Sequence, residues 1–353
     1  MAARRAWLIA IAVVVVLAGA AWFALRSERV ALTLLDRTVA ENLTRDALAE
    51  LPDGIHVLVC GAGGPLTDIS RSGSCVAIQA GEHLYVVDAG TNGARNIGRF
   101  GVNVGRVEAV LVTHAHSDHI DGLGELGVLR WAGGGHAAPL PVHGPPVVSD
   151  VVAGFNLAYT ADAAYRVAHH GDTVVPASGG GLLAFPFPLP ADGELTTVLE
   201  SGDGVRISAF RVSHPPVSQA VGYRVDYRDR AVVVSGDTAK SANLIHHARG
   251  VDLLLHEALA SRMTARIAEV ADAVDAGGPA KIMRDVPSYH STPVEAAESA
   301  AEAGVGHLVL YHIIPPLPIA PMEHVFLKGV ADAFAGPVTL ATDGTLISLP
   351  SGT

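Results

Sequence analysis

Six consecutive residues carry four side chains of the kinds that bind metal ions. The segment reads His114-Ala115-His116-Ser117-Asp118-His119. A His-x-His pair leaving a strand brings two imidazoles close enough for one zinc ion, and Asp118 and His119 then point to a second position beside the first. One histidine alone is more often a packing or surface residue, but four ligand types in so short a segment predict a metal site.

Other parts of the chain must complete this site. A catalytic zinc ion is held by three or four protein ligands and keeps one place open for water. Three candidates stand at the ends of predicted strands, namely His214, Asp237 and His312. We expect these three side chains to lie beside the first segment.

The pattern of apolar residues predicts the elements that position these side chains. A strand at Val107–Thr113 delivers the histidine segment, and a helix near Ile120–Arg130 follows it. Further strands are predicted at Ile55–Cys60, Ser74–Ala80, His83–Val87, Val205–Val212, Gly222–Tyr227, Ala231–Ser235, Val251–His256 and His307–Tyr311. Further helices are predicted at Ser241–Arg249, Leu259–Val274 and Pro293–Ala303. Two strand-rich halves, each closed by helices, predict an α/β fold with two sheets face to face and helices outside.

The order of these elements and ligand candidates resembles the metallo-β-lactamase superfamily, over nearly all of Ile55–Pro350. The resemblance implies a four-layer αββα sandwich and two Zn²⁺ ions, with Mn²⁺ or Fe²⁺ as alternatives. It implies that Asp237 bridges the two ions and that the other ligands divide into one set of His114, His116 and His214 and a second set of Asp118, His119 and His312. A shared water between two cations loses a proton near neutral pH, which supplies a metal-bridging hydroxide.

Four further segments narrow the resemblance to the branch that contains ribonuclease Z and related phosphodiesterases and arylsulfatases. They are Ser235-Gly236-Asp237-Thr238, His256-Glu257-Ala258, His290-Ser291-Thr292 and Leu310-Tyr311-His312. In that branch the histidine matching His290 is not a ligand, and it protonates the leaving oxygen or stabilises the charge of the transition state, while the acid matching Glu257 orients it. The resemblance thus implies Asp118, Glu257 and His290 as catalytic residues.

The predicted activity is hydrolysis of a small phosphodiester or a related ester such as an aryl sulfate. Ribonuclease Z typically carries a basic arm that grips tRNA between the elements matching His214 and Asp237, and here only residues 215–236 separate them. The formal net charge of −11 also disfavours a polyanionic partner, so we expect a small-molecule ester and no nucleic acid. Three alternatives stay open: a ribonuclease Z-like endoribonuclease that processes tRNA 3′ ends, a lactonase, and a metal-stabilised binding protein without catalysis.

The N-terminal region predicts a membrane tether. Every residue of Ala6–Leu25 is apolar, and arginines flank the run, which matches the about 20 residues a helix needs to span a bilayer. A signal peptide cleaved after Ala18-Gly19-Ala20 is an alternative, as is a buried helix. We predict a signal anchor or signal peptide at 1–29, a connecting helix at 30–53 and a catalytic domain at 54–353. The catalytic domain is then membrane-anchored and periplasmic or extracytoplasmic, or secreted after cleavage.

The cysteines and a few further residues allow smaller predictions. Cys60 and Cys75 are too few for a cysteine-rich zinc module, and we expect two buried free thiols, with a single bridge as the alternative. The Gly/Pro/Phe-rich segment Ser178–Pro190 could form a flap over the site. Asp68 and Asp88 are candidate partners of ligand histidines. A homodimer is compatible with the sequence.

Overall fold

The computed structural model describes residues 2–352, and the chain divides into two compact units after Asp46. The first unit contains helices α1 (Ala2–Leu25) and α2 (Glu28–Thr44). The segment Arg4–Leu25 is long and apolar enough to cross a membrane, with a mean hydropathy of 2.8. A signal sequence has the same properties, so the membrane anchor remains a prediction.

The second unit begins at Ala47, within the segment predicted as a connecting helix, and contains two seven-stranded sheets. The first sheet has the spatial order β14-β1-β2-β3-β4-β5-β6. Its strands are β1 (Gly54–Gly61), β2 (Cys75–Ala80), β3 (His83–Val87), β4 (Val107–Leu111), β5 (Leu140–Gly144), β6 (Leu182–Pro186) and β14 (Thr345–Pro350). Strands β3 to β6 pair in parallel, and β14, β1, β2 and β3 pair antiparallel.

The second sheet has the spatial order β13-β12-β11-β10-β9-β8-β7. Its strands are β7 (Thr196–Glu200), β8 (Arg206–Arg211), β9 (Val221–Tyr227), β10 (Arg230–Val234), β11 (Leu253–Leu259), β12 (His307–Ile314) and β13 (Val338–Leu340). Strands β10 to β13 pair in parallel, so their carboxyl ends meet at one edge of the sheet. Polar side chains that follow these strands are therefore brought together.

Ten helices of the described residues belong to the second unit. They are α3 (Gly93–Arg99), α4 (Ser117–Ile120), α5 (Leu123–Gly134), α6 (Val148–His170), α7 (Ala242–His247), α8 (Ser261–Ala273), α9 (Gly277–Asp285), α10 (Pro293–Ala303), α11 (Ala320–Phe326) and α12 (Val330–Ala333). Helix α10 begins with a capping box, in which the Thr292 hydroxyl accepts from the Glu295 amide and the Glu295 carboxylate accepts from the Thr292 amide. This local signal explains why the predicted start of α10 is correct.

Alternating apolar residues place the two sheets between two layers of helices. In β1, Val57 and Val59 face the second sheet, whereas Leu58 packs toward α3 and α5. In β12, Val309 faces the first sheet, whereas Leu310 packs against α10. Because successive side chains of a strand point to opposite faces, each sheet contributes to a central apolar layer and to an outer one. The predicted α/β fold with two facing sheets is confirmed.

Two expectations about local structure were wrong. Cys60 and Cys75 form a disulfide bond, since the antiparallel pairing of β1 with β2 brings the ends of these strands together. The segment Ser178–Pro190 is not a free flap, because its centre forms β6, which pairs with β5 along the edge of the first sheet.

Candidate metal-binding active site

The structure brings all seven predicted ligands to one place. The segment His114–His119 follows β4 of the first sheet, and the turn of α4 carries its last residues. From the second sheet, His214 follows β8, Asp237 follows β10 and His312 lies in β12. The site therefore joins one loop of the first sheet to several elements of the second.

The ligand atoms form two neighbouring groups. One comprises His114, His116, His214 and Asp237, and the other comprises Asp118, His119 and His312, with all candidate atoms of each group within 4.8 Å of one another. In the first group, His116 Nδ1 lies 3.0 Å from His114 Nε2 and 3.3 Å from His214 Nε2. In the second, His312 Nε2 lies 3.1 Å from Asp118 Oδ2 and 3.3 Å from His119 Nε2. Imidazole and carboxylate donors at this spacing suit zinc.

Asp237 stands between the two groups. Its Oδ2 lies 3.7 Å from Nε2 of both His114 and His214, and its Oδ1 lies 3.4 Å from Nε2 of both His119 and His312. The buried Oδ1 has no hydrogen-bond partner among the described residues. A buried carboxylate oxygen without a donor is costly unless a cation satisfies it. The donor set thus fits two metal ions that share Asp237.

Charges within the metal-free protein are strongly perturbed. Burial raises the pKa of Asp237, but the surrounding histidines, first of all His312 and His119, outweigh burial and hold this pKa well below its usual range. Burial lowers the pKa of His119, whereas Asp237, Asp88 and Asp118 outweigh burial and raise this pKa well above its usual range. Burial lowers the pKa of His114 well below its usual range. The buried carboxylates therefore favour the binding of cations, which would neutralise their negative charge.

Two hydrogen bonds orient ligand histidines. The Asp88 carboxylate lies 2.7 Å from His119 Nδ1 and also accepts from the amide and hydroxyl of Thr113. His214 Nδ1 donates to the carbonyl of Tyr289 at 2.9 Å. In both rings Nε2 is then free to face the site, which is how protein partners commonly fix a metal-binding histidine. The prediction for Asp88 is confirmed, whereas that for Asp68 is wrong, because Asp68 accepts from Ser70 and Leu317 instead.

The backbone around His312 is unusual. His312 has a φ of 48° and lies where the pairing of β11 with β12 shifts by one residue, which marks a β-bulge. Bulges redirect side chains and concentrate at active sites. A Cβ on Gly64 would lie 3.1 Å from the His312 ring and 2.9 Å from Ile314, so only glycine allows this close approach. The Gly61–Pro65 loop thus packs beside the site.

His290 and Glu257 form a pair next to the ligand groups. His290 Nδ1 lies 3.0 Å from Glu257 Oε1, and the same oxygen accepts from the amides of Thr238 and Ser291. Burial lowers the pKa of His290, but the Glu257 and Asp237 carboxylates outweigh burial and raise this pKa to about 9. A ring nitrogen of His290 also lies within 4.8 Å of ligand atoms of Asp237 and His312. The pair can therefore present a proton at the edge of the metal site.

A cavity of about 250 Å³ opens onto these groups. Its lining includes Asp118, Asp237 and His290, together with apolar residues of α9 and the turn that follows it. This apolar wall was not predicted from the sequence. Asp343 was not predicted either, and its carboxylate accepts from the amides of Ala62 and Ser72 and so holds two loops near the site. The Asp343-Gly344 dipeptide signals a turn but not what its carboxylate binds.

Comparisons with known proteins identify the family to which this chain belongs. A family model described as "Beta-lactamase superfamily domain" matches residues 83–313. Ribonuclease Z of Mycobacterium avium (strain 104) is 34% identical over 291 residues, which cover 82% of this chain and 96% of that protein. Ribonuclease Z of Mycobacterium marinum (strain ATCC BAA-535 / M) is 32% identical over 291 residues, covering 82% of this chain and 96% of that protein.

Solved structures share the fold at lower identity. A metallo-β-lactamase fold protein from Bacillus subtilis superposes with a TM-score of 0.59 at 22% identity, covering 84% of this chain and 99% of that one. The short form of human tRNase Z superposes with a TM-score of 0.57 at 20% identity, covering 84% of this chain and 100% of that one. The chain therefore belongs to the metallo-β-lactamase superfamily, in the branch that contains ribonuclease Z, and is a hydrolase of that family.

Proposed function

We propose that this protein hydrolyses phosphodiesters with the help of two zinc ions. One ion would be held by His114, His116 and His214 and the other by Asp118, His119 and His312, with Asp237 between them. The observation that carries the proposal is the His290–Glu257 pair at the edge of the ligand groups. A structural metal site has no need of a proton donor there, whereas phosphodiester cleavage does.

Each residue of the site has a part in this reaction. Zinc ions would activate water and neutralise charge on the phosphoryl oxygens. Asp237 keeps the two ligand groups at a fixed spacing, and Asp118 holds its carboxylate at the mouth of the cavity beside His312. His290 donates its proton to the leaving oxygen. Glu257 positions the His290 ring and, by raising its pKa, keeps the proton on it until it is needed.

RNA is the first candidate substrate. Relatives that are more than 30% identical over most of this chain bear the name ribonuclease Z, and the human structural neighbour is a tRNase Z. These names support cleavage near the 3′ end of a tRNA precursor. The expectation that nucleic acid is not a partner is thereby corrected, since it rested on net charge and loop length, which do not exclude a local RNA-binding surface.

A small phosphodiester is the second candidate, and specific observations favour it. The connection between His214 and Asp237 is only residues 215–236, and much of it forms β9 and β10, so it has no room for an extended arm. The disulfide between Cys60 and Cys75 is typical of proteins outside the reducing cytoplasm. Together with the apolar Arg4–Leu25 helix, this bond favours a membrane-anchored catalytic domain that faces an oxidising compartment.

A substrate panel tests the proposal. The full chain, purified in detergent and loaded with zinc, is assayed with a tRNA precursor, bis(4-nitrophenyl) phosphate, an aryl sulfate and an acyl lactone. We expect turnover of at least one phosphodiester, and preference for the tRNA precursor or the small diester decides between the two candidates. If the lactone or the aryl sulfate is the only compound hydrolysed, phosphodiester hydrolysis is rejected.

A further inference from the structure

The cavity beside the candidate metal site has one strongly apolar wall. The wall is formed by Ile282 and Met283 of α9 and Val286 of the following turn. Leu66 and Ile314 also line the cavity and pack in one apolar cluster with Val286. Met283 and Val286 are buried, whereas Ile282 is 55% exposed. A half-exposed isoleucine at the mouth of a catalytic cavity offers apolar surface that a substrate can cover.

A second cavity beside Asp118 has a more polar lining than the first. This cavity has a volume of about 220 Å³ and shares Pro65, Leu66, Ser117 and Asp118 with the first, and its remaining lining includes Asp68 and Arg71. Arg71 is buried and donates to the carbonyl of Ala341. The space around the candidate metal site is thus asymmetric, with apolar side chains on the α9 side and hydrogen-bonding groups on the other.

His290 lies on the apolar side. It follows the turn that contains Val286, and its ring packs at 4.9 Å from the ring of Tyr289, which also lines the apolar cavity. An alcohol that takes a proton from His290 therefore leaves against the wall formed by α9. The apolar cavity, at about 250 Å³, exceeds the about 150 Å³ that suffices for benzene in an apolar protein cavity.

We propose that Ile282, Met283 and Val286 bind an aromatic ring carried by the leaving alcohol of the substrate. Methionine and tyrosine side chains make favourable contacts with ring edges and faces, which favours a ring over a sugar or a charged group. The ring can be an aryl group or a nucleobase, so the inference serves both candidate substrates. It rests on the proposed function, because His290 defines the side from which the alcohol leaves.

Two phosphonates that are not hydrolysed test the ring site directly. Phenylphosphonate and methylphosphonate present the same oxygens and differ by the ring, and their binding to the zinc-loaded full chain is measured by calorimetry. We expect about tenfold tighter binding of phenylphosphonate, which corresponds to about 60 Å² of apolar surface withdrawn from water. Equal affinities in the wild type overturn the proposal.

Substitutions locate the preference on the wall. Ile282→Asp should abolish it, and Ile282→Thr, which keeps the branched shape, should weaken it. The matched control is Val270→Asp on α8, where an apolar residue is 51% exposed but does not line the cavity, and the preference should persist. An Ile282→Asp protein that keeps the full preference refutes the assignment of the wall.

Turnover separates this inference from the proposed function. For bis(4-nitrophenyl) phosphate and for a dinucleoside monophosphate, Ile282→Asp should lower kcat/KM about tenfold, whereas turnover of a glycerol phosphodiester should be unaffected. The substrate with the larger decrease in kcat/KM indicates whether the natural ring is an aryl group or a nucleobase. If the wild type prefers phenylphosphonate but hydrolyses no phosphodiester, the proposed function is rejected and the ring site is supported. If Ile282→Asp lowers kcat/KM equally for ring-bearing and ring-free diesters, the ring site is contradicted.

Discussion

The two sheets contribute to the candidate site in different ways. The first sheet supplies four ligand candidates from one loop, His114–His119, which follows β4. The second sheet supplies its residues singly, from the connections after β8 and β10 and from β11 and β12 themselves. The first contribution is local in sequence, whereas the second depends on the parallel pairing of distant strands.

This difference separates metal binding from reaction chemistry. The loop of the first sheet contributes four ligand candidates, of which Asp118 is also a catalytic candidate, and such a segment is compatible with many substrates. The second sheet carries Asp237, which faces both ligand groups, and Glu257, whose partner His290 precedes α10 and lines the cavity with the apolar wall. We infer that the second sheet determines which bond is broken.

The largest expected effect is seen when one ligand candidate from each sheet is removed by substitution. His116→Ala removes a ligand of one group, so one metal per chain should be lost. Asp237→Ala removes the carboxylate that faces both groups, so both metals should be weakened, and turnover should fall by more than the about 10⁴-fold upper range for loss of a proton donor. Metal content by atomic absorption and turnover of bis(4-nitrophenyl) phosphate measure the two effects. The shared role of Asp237 is refuted if the two variants lose the same amount of metal.

The next effect concerns the proposed proton donor His290, which pairs with Glu257 of the second sheet. His290→Ala should lower turnover about 10² to 10⁴-fold for a diester with a poor leaving group. With 4-nitrophenolate as leaving group the loss should be smaller, since this anion departs without a proton. Metal content should stay unchanged. Loss of metal in His290→Ala would instead identify His290 as a ligand, in agreement with its position near Asp237 and His312.

The pH profile distinguishes positioning by Glu257 from mere support of the fold. His290 acts while it is protonated, so activity should be lost as pH rises through its pKa, which carboxylates raise to about 9 in the metal-free protein. Bound cations lower this pKa. Glu257→Gln keeps the shape but removes the carboxylate, so the alkaline limb should move to lower pH. An unchanged limb in the Glu257→Gln variant would show that Glu257 does not tune His290.

Local patterns explain which parts of the molecule the sequence predicts. His83–Val87 and Pro293–Ala303 agree with the structure residue for residue. The strand is a short β-rich run bounded by Gly81 and Asp88, and the helix begins with a capping box, so both signals lie within a few neighbouring positions. Helix α6 was missed, although it has 23 residues. It buries only Val148 and Val152, so no continuous apolar stripe marks its helical period.

Features that depend on contacts between distant residues could not be predicted from the sequence. The bulge at His312 arises from the pairing of β11 with β12, and the bond between Cys60 and Cys75 from the pairing of β1 with β2. Ile282 and Met283 are readable as apolar residues, but only the packed structure shows that they face the metal site. The ligand candidates could be predicted because histidine and aspartate are recognisable as metal-binding residue types. An apolar residue gives no such signal, since its place beside a cavity depends on how the chain packs.

The smallest expected effect tests how the first sheet orients its own ligand. Asp88 lies 2.7 Å from His119 Nδ1, so Asp88→Asn should weaken metal binding in the group of Asp118, His119 and His312 about 10 to 100-fold. The group of His114, His116 and His214 should keep its affinity, and competition with a chelator resolves the two sites. The matched control is Asp68→Asn, since Asp68 is also largely buried but does not contact a ligand histidine. Equal weakening of both sites would mean that Asp88 supports the fold of the whole centre. The difference between the two sheets would then concern only the ligand candidates themselves.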